Sequence, residues 1–196
     1  MAEMLSEEGL DLLFRTARSY NGFQDRPVSE DQLRAIWDLM KWGPTSANML
    51  PARIVWCVSQ ESKEKLAALA SGTNGPKILA APVTAIIGMD LEFYEHLPRL
   101  FPHTDARSWF KGNDKLTEVS AFRNSSLQGG YFIMAARALG LDTGPMSGFN
   151  NDAVDAAFFA GTKVKSNFIS TLGYGDPATI FGRSPRPEFE DFNKIV

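Results

Sequence analysis

The chain has 196 residues, 44% of them hydrophobic and 22% charged, and a formal net charge of −3. These values suit one sizeable globular core and are ordinary for a soluble protein. With no run of like charge and no basic stripe, they argue against nucleic acid or an anionic membrane as partner.

Met1 to Leu13 is acidic and amphipathic and lacks the basic and apolar regions of a secretory signal. The spacing predicts a helix over 6–18, with Ser6 as a cap and Leu10, Leu13 and Phe14 on one face. Ser29-Glu-Asp-Gln32 reads as a capping box. Leu33, Ile36, Trp37 and Met40 then recur at helical spacing, and Gly43-Pro44 ends that helix. A strand is expected over 52–58. It carries the one cysteine, Cys57, which excludes a disulfide within the chain and reads as a buried, inert thiol. A reducing, cytoplasmic setting is the default expectation. Residues 61–70 read as a short helix, and another begins near Pro76. Val83–Met89 is apolar throughout, as a strand covered on both faces would be.

Residues 90–115 are aromatic and irregular. The longest helix is expected over 116–139, with Phe122, Leu127, Tyr131, Met134, Ala135 and Leu139 inward and Gly140 as its stop. Its small residues, among them Gly129 and Gly130, permit close packing. Residues 151–160 read as a helix and 167–174 as a third strand, followed by a Gly/Pro-rich segment and a mixed tail over 188–196. With no repeat and no linker, the chain reads as a single α+β domain over 1–196, or a three-layer α/β/α arrangement. No apolar run approaches the roughly 20 residues of a membrane span.

Several chemistries have no motif. GxGxxG, a phosphate-loop GxxxxGK[ST], HExxH and GxSxG are all missing. Glu92, Glu95, His96, His103 and Asp105 read as exposed loop residues rather than metal ligands. No nucleophile stands out, so no side chain is assigned a catalytic role. Polar loops without a nucleophile and base fit a cofactor that carries the chemistry, and fit a binding module equally.

Four groups of loop residues can serve one planar, anionic ligand. Arg18 and Ser19 offer a guanidinium fork and a hydroxyl; an exposed arginine after a helix is the plainer account. Pro44, Thr45, Ser46 and Asn48 can satisfy the edge of a heteroaromatic ring, or are plain turn chemistry. Asn74 and Lys77, at i and i+3, point the same way if a helix begins there. Ser147 and Gly148 can lie against a flat ring, and Arg183 with Arg186 can clamp a phosphate. None is specific alone.

Their order along the chain is more telling. An Arg-Ser turn precedes Phe23-x-x-x-Pro27-Val28. A capped helix follows, then the Pro44–Asn48 loop and a strand. Asn74-x-x-Lys77, a long helix ending in Gly-Leu-Asp, a Gly-Phe loop and a terminal arginine pair complete the series. The series resembles the flavin-dependent nitroreductase family over nearly the whole chain. Within it, "MKWGPTSAN", "FPHTDARSWF", "AFRNSS", "RALGLDTGPMSGF" and "GYGD" are similar to the branch that reduces malonic semialdehyde in pyrimidine degradation.

The resemblance implies a nitroreductase-like fold, with a mixed, mainly antiparallel sheet flanked by helices. It also implies FMN as cofactor, NADH or NADPH as donor, and a homodimer with flavin at the interface. Carried over by position, Arg18, Ser19, Arg183 and Arg186 face the phosphate, and Asn74 and Lys77 the ring and ribityl chain. Ser147 and Gly148 lie over the ring, and Pro44, Thr45, Ser46 and Asn48 approach it, often from the partner subunit. The family often has a basic residue where Ala17 stands, and the Arg-x-x-Arg spacing leaves open whether both terminal arginines reach phosphate. Residues 90–115 become a cap over the flavin, with Arg107, Trp109, Phe110 and Arg123 as candidate substrate contacts. The alternative for these aromatics is dimer packing. The tail, 188–196, is expected to pack on the partner.

Overall fold

The computed structural model describes residues 3–196. Residues 1 and 2, at the start of the expected 1–196 domain and of the Met1–Leu13 reading, lie outside the described residues. The elements run α1 (Glu7–Leu10), α2 (Glu30–Met40), β1 (Ala52–Cys57), α3 (Gln60–Ala67), α4 (Asn74–Ala80), β2 (Val83–Asp90), α5 (Leu97–Leu100), α6 (Arg107–Phe110), α7 (Asp114–Ala138), β3 (Asp142–Met146), α8 (Asn151–Phe158), β4 (Val164–Gly173) and α9 (Phe189–Phe192). α1 continues into a wide π turn, Asp11–Arg15. Phe14 points outward there, while Leu10 and Leu13 are half-buried.

Among the described residues, four strands form one antiparallel sheet in the order β1-β2-β4-β3. β3 is a strand where a loop was expected: Gly144 and Pro145 are poor strand formers, and an edge position tolerates them. β2 sits inside, buried along nearly its whole length. Its residues alternate between two cores. Val83, Ala85 and Ile87 pack under α2 and α7 with Ile36, Met40 and Phe132. Ile86 packs on the other face with Leu66, Ile78 and Val154 of α3, α4 and α8. Helices on both faces of one sheet make the three layers. Cys57 lies in the second core, and burial pushes its thiol up to about 11, far from a reactive thiolate. Among the described residues no helix is long and apolar enough to cross a membrane.

α7 reverses the expected facing. Phe122, Leu127 and Tyr131 are 54%, 48% and 43% exposed, and Leu116 and Val119 are exposed beside them. The buried face instead carries Thr117, Ser120, Asn124, Ser125, Gln128, Gly129, Phe132 and Ala135. Ala135 is thus inward as expected, while Met134 and Leu139 are half-buried. Gly129 is needed for contact: a Cβ there would lie 2.4 Å from the Phe168 ring, whereas one on Gly130 would meet open space. The helix ends in a Schellman motif. Leu141 N–H donates to Ala136 O and Gly140 N–H to Arg137 O, both at 2.9 Å, with Gly140 at φ +73°. Gly43 works differently. Its φ is not positive, and its role is room, since a Cβ would come 2.6 Å from Tyr131.

Residues 90–115 fold into short helical turns around a third cluster of Met49, Phe93, Leu97, Ala106, Phe110 and Ala121.

Candidate functional site

The fold gathers the two ends of the chain. The turn after α1 is stitched to the start of β3 by the Ser19–Thr143 bridge and by Tyr20 N–H donating to Thr143 O at 3.1 Å. The C-terminal segment crosses the same place: Arg183 Nη2 donates to Ala17 O at 3.0 Å, and Arg18 donates to Phe181 O. From the end of α7, Arg137 Nη1 donates to Leu13 O at 2.8 Å. A cavity of about 290 Å³ results, lined by Arg18, Ser19, Arg137, Arg183 and Arg186 among others.

None of these four arginines pairs with a carboxylate among the described residues. Carbonyl oxygens fix the guanidinium planes but leave the charge uncancelled. Fixed, converging guanidinium forks are suited to phosphate. Burial pushes the Arg137 guanidinium down from its usual range and Arg183 adds to that, while Asp142 holds it up. Asp142 in turn is raised by its own burial, against the pull of the Gly175 N–H and of Arg137. Arg137 was not among the residues expected here. A basic residue in the last turn of a helix has an ordinary account in the helix dipole, and only the return of the N-terminus makes it a wall of a cavity.

The second group lies at the other end of β3. Asn74 Nδ2 donates to Gly148 O at 3.0 Å, and the same oxygen accepts Ser71 N–H at 2.9 Å. Gly148 has no room for a side chain, since a Cβ would meet Asn74 Nδ2 at 2.7 Å. Ser147 beside it is exposed. Lys77 follows Asn74 on α4, half-buried and without an ion pair among the described residues. From Thr143, bridged to Ser19, to Gly148 is five residues, ~16 Å of extended chain. The sheet edge therefore offers an anion grip at one end and amide, hydroxyl and ammonium groups at the other.

The Pro44–Asn48 loop belongs to neither end. It lies against α7 and the cap, beside a cavity of about 540 Å³ lined by Pro44, Asn48, Arg53, His96 and Arg99 among others. Much of its polar capacity is already engaged. Thr45 Oγ1 accepts Leu50 N–H at 3.2 Å, Ser46 N–H donates to Asn124 Oδ1 at 2.8 Å, and Asn48 Nδ2 donates to Leu100 O at 2.8 Å. Gln128 Oε1 accepts Ala52 N–H at 2.8 Å, and Arg53 donates to Leu50 O at 3.0 Å while paired with Asp90 at 2.6 Å. These anchors hold Ala47, Asn48 and Leu50 at φ +49°, +47° and +40°, each costing on the order of 1–2 kcal/mol outside glycine.

The four expected substrate contacts do not converge within the chain. Arg107 is engaged in a two-pronged pair with Glu95 at 2.6 and 2.7 Å. Phe110 is buried in the cap's own core, edge-on to Phe93 at 4.9 Å, which turns it away from a substrate role. Trp109 is about half exposed beside Phe101. Arg123 lies on the outer face of α7, lining a groove of about 1150 Å³ with Met89, Val119, Phe122, Leu127 and Tyr131.

The sequence model of the Nitroreductase family matches residues 14–174. A protein of Burkholderia lata, named "Putative NADH dehydrogenase/NAD(P)H nitroreductase", is 61% identical over 191 residues, covering 97% of this chain and 98% of its own. One of the same name from Stenotrophomonas maltophilia is 57% identical over 196 residues, all of both chains. Among solved structures, a Bacillus subtilis "putative nitroreductase" superposes with a TM-score of 0.88 at 22% identity, covering 97% of this chain and 100% of that one. An Exiguobacterium sibiricum "putative nitroreductase in complex with FMN" gives 0.85 at 18% identity over the whole of both chains. At that level of identity the structures speak to the fold, which they share with this chain.

Proposed function

The chain belongs to the nitroreductase family, and from that premise we propose that it is an FMN-dependent NAD(P)H oxidoreductase of the cytoplasm. The observation that carries the proposal is the sheet edge. Four arginines without carboxylate partners among the described residues stand at one end, and Asn74, Lys77, Ser147 and Gly148 at the other. The donor set fits the group: cations for a phosphate, a chain-length gap for a ribityl arm, and small polar groups for a flat ring. The buried, unpartnered Arg137 Nε is a donor that the protein alone leaves unsatisfied. Bound there, FMN supplies acceptance of a hydride from NADH or NADPH and its return to a second substrate.

The chain's own residues bind, orient and exclude water. Arg18, Ser19, Arg183 and Arg186 hold the phosphate. Asn74, already oriented by the Gly148 carbonyl, and Lys77 hold the ring edge, where an ammonium favours negative charge. Ser147 and Gly148 lie flat against it. No side chain is required as general acid, since water can supply the proton that completes an alcohol.

The second half of the site comes from a second copy of the chain. The exposed apolar face of α7, with Val119, Phe122, Leu127 and Tyr131, is the kind of patch that marks a protein interface, and the tail with its exposed Phe189, Phe192 and Ile195 is a natural strap for it. In such a homodimer Pro44, Thr45, Ser46 and Asn48 approach the partner's flavin, and Arg123 and Trp109 border the substrate.

For the acceptor we propose malonic semialdehyde, reduced to 3-hydroxypropanoate by one hydride and one proton. The similarity of "MKWGPTSAN" and "RALGLDTGPMSGF" to that branch of the family supports it. A broader nitroaromatic or quinone reductase is the second reading, favoured by the relatives' names and by the aromatic cap edge of Phe101 and Trp109.

Anaerobic titration tests both levels. The purified protein should be yellow, bleach with NADH or NADPH, and recover colour with malonic semialdehyde. Recovery with a nitroaromatic alone would select the second reading. Colour without bleaching would leave only a flavin-binding protein.

A further inference from the structure

We propose that Arg137, at the C-terminal end of α7, is the residue by which this chain reads the terminal phosphate of its flavin and so discriminates FMN from unphosphorylated riboflavin. The proposal rests on the FMN reading above and adds a contact at its anionic end.

Arg137 differs from the other three arginines in rigidity and setting. Arg18, Arg183 and Arg186 sit on a turn and on an irregular C-terminal segment, and among the described residues Arg186 bonds only to neighbouring carbonyls, Ser184 O and Pro185 O. Arg137 projects from the last turn of a 25-residue helix. The Schellman closure through Gly140 and Leu141 fixes that turn. One prong of its guanidinium, Nη1, is tied to Leu13 O. The other, Nη2, makes no hydrogen bond among the described residues, and Nε is buried without a partner. A half-buried guanidinium with one prong anchored and one open is aimed in advance, so little side-chain freedom is lost when an anion arrives.

The electrostatics point the same way. Two groups act on Arg137 from neighbouring elements: Asp142 of β3, which favours its charge, and Arg183, which opposes it. Asp142 is itself engaged, accepting Gly175 N–H at 3.0 Å, and stands beyond ion-pair distance of Arg137. The arginine is therefore cationic yet unneutralised. A phosphate monoester supplies what the site lacks: a compact, doubly charged group with several acceptor oxygens. The uncharged hydroxyl of riboflavin does not.

The test is the ratio of dissociation constants for riboflavin and FMN, read by quenching of flavin fluorescence on the apo protein, for wild type, Arg137→Met and Arg137→Lys. Loss of one charge-assisted contact corresponds to a fall in this ratio of about 10- to 100-fold in the Met variant, with partial recovery in the Lys variant. A role confined to holding Leu13 would lower the melting temperature and weaken both flavins equally. An unchanged ratio in a folded Met variant overturns the proposal. Failure of the wild type to bind FMN would instead overturn the FMN reading itself, so the two failures are distinct.

Discussion

The arginine pocket and the Pro44–Leu50 loop are both dense in polar groups, and they use those groups in opposite ways. In the pocket the guanidinium groups are positioned by carbonyl oxygens and their charge is left uncancelled. In the loop, Thr45 Oγ1, Ser46 N–H and Asn48 Nδ2 are all engaged within the chain, and three residues are held in left-handed backbone. On the proposed reading the pocket takes a ligand's charge. The loop is built to keep a shape. Polar density alone therefore does not identify a ligand contact; what matters is the hydrogen-bonding capacity left over after folding.

The largest effect that can break this contrast is loss of two pocket charges. Arg18→Met combined with Arg183→Met should weaken FMN at least ~100-fold, since each charge-assisted contact is among the stronger hydrogen bonds. The melting temperature of the apo protein should hardly move. If stability falls in parallel, these arginines are struts and the distinction between the two regions collapses.

The loop should show the reverse order of effects. Gln128→Leu strands the Ala52 N–H in a buried position, at a cost of about 1–3 kcal/mol. For a chain of this size that lowers the melting temperature by several degrees, at about 2–4 °C per kcal/mol, before any loss of flavin affinity in the folded fraction. Ala47→Gly sharpens the same point on a smaller scale. It removes the steric cost of φ +49°, so a substitution that costs about 1 kcal/mol in a helix should here be neutral or raise the melting point slightly. A clear drop would mean that the anchors, rather than the backbone conformation, limit the loop.

Much of the fold was legible because its signals were local. The Ser29–Gln32 capping box forms as written, the Gly140 stop is a Schellman turn, and the unbroken apolar run of β2 is a strand covered on both faces. α7 misled because apolar periodicity assumes that the core of one chain decides facing. Here Asn124 and Gln128 are turned inward to accept the backbone N–H groups of Ser46 in the loop and of Ala52 at the start of β1, and the large apolar residues are left outside. β3 was missed because Gly144 and Pro145 carry no strand signal, yet an edge accepts them. In the site, Arg18, Arg183 and Arg186 were visible as a pattern and do meet at one cavity, as do Asn74 and Gly148 at one contact. Arg137 was not visible, since its meaning depends on Leu13 folding back across 124 residues. The pairing of Arg107 with Glu95, twelve positions apart, was equally hidden.

The smallest effect concerns Asp142 of β3, whose charge acts on Arg137. Asp142 is raised by burial, and Gly175 N–H and Arg137 pull the other way. A carboxyl group whose folded value lies above its unfolded one, about 4, favours folding while it is protonated. That contribution is fully present below the unfolded value and is lost as pH rises through the raised folded value. Wild type should therefore lose a slice of stability relative to Asp142→Asn as pH climbs from about 4, and the two should run parallel above that window. An asparagine oxygen can still accept Gly175 N–H, so the fold keeps that contact. The variant also removes a negative charge from beside Arg137, so its FMN affinity at neutral pH should rise a few-fold, read in the same fluorescence titration. Weaker FMN binding would mean that Asp142 orients Arg137 instead of opposing the phosphate, and the pocket would then share the loop's strategy of engaging its groups within the chain.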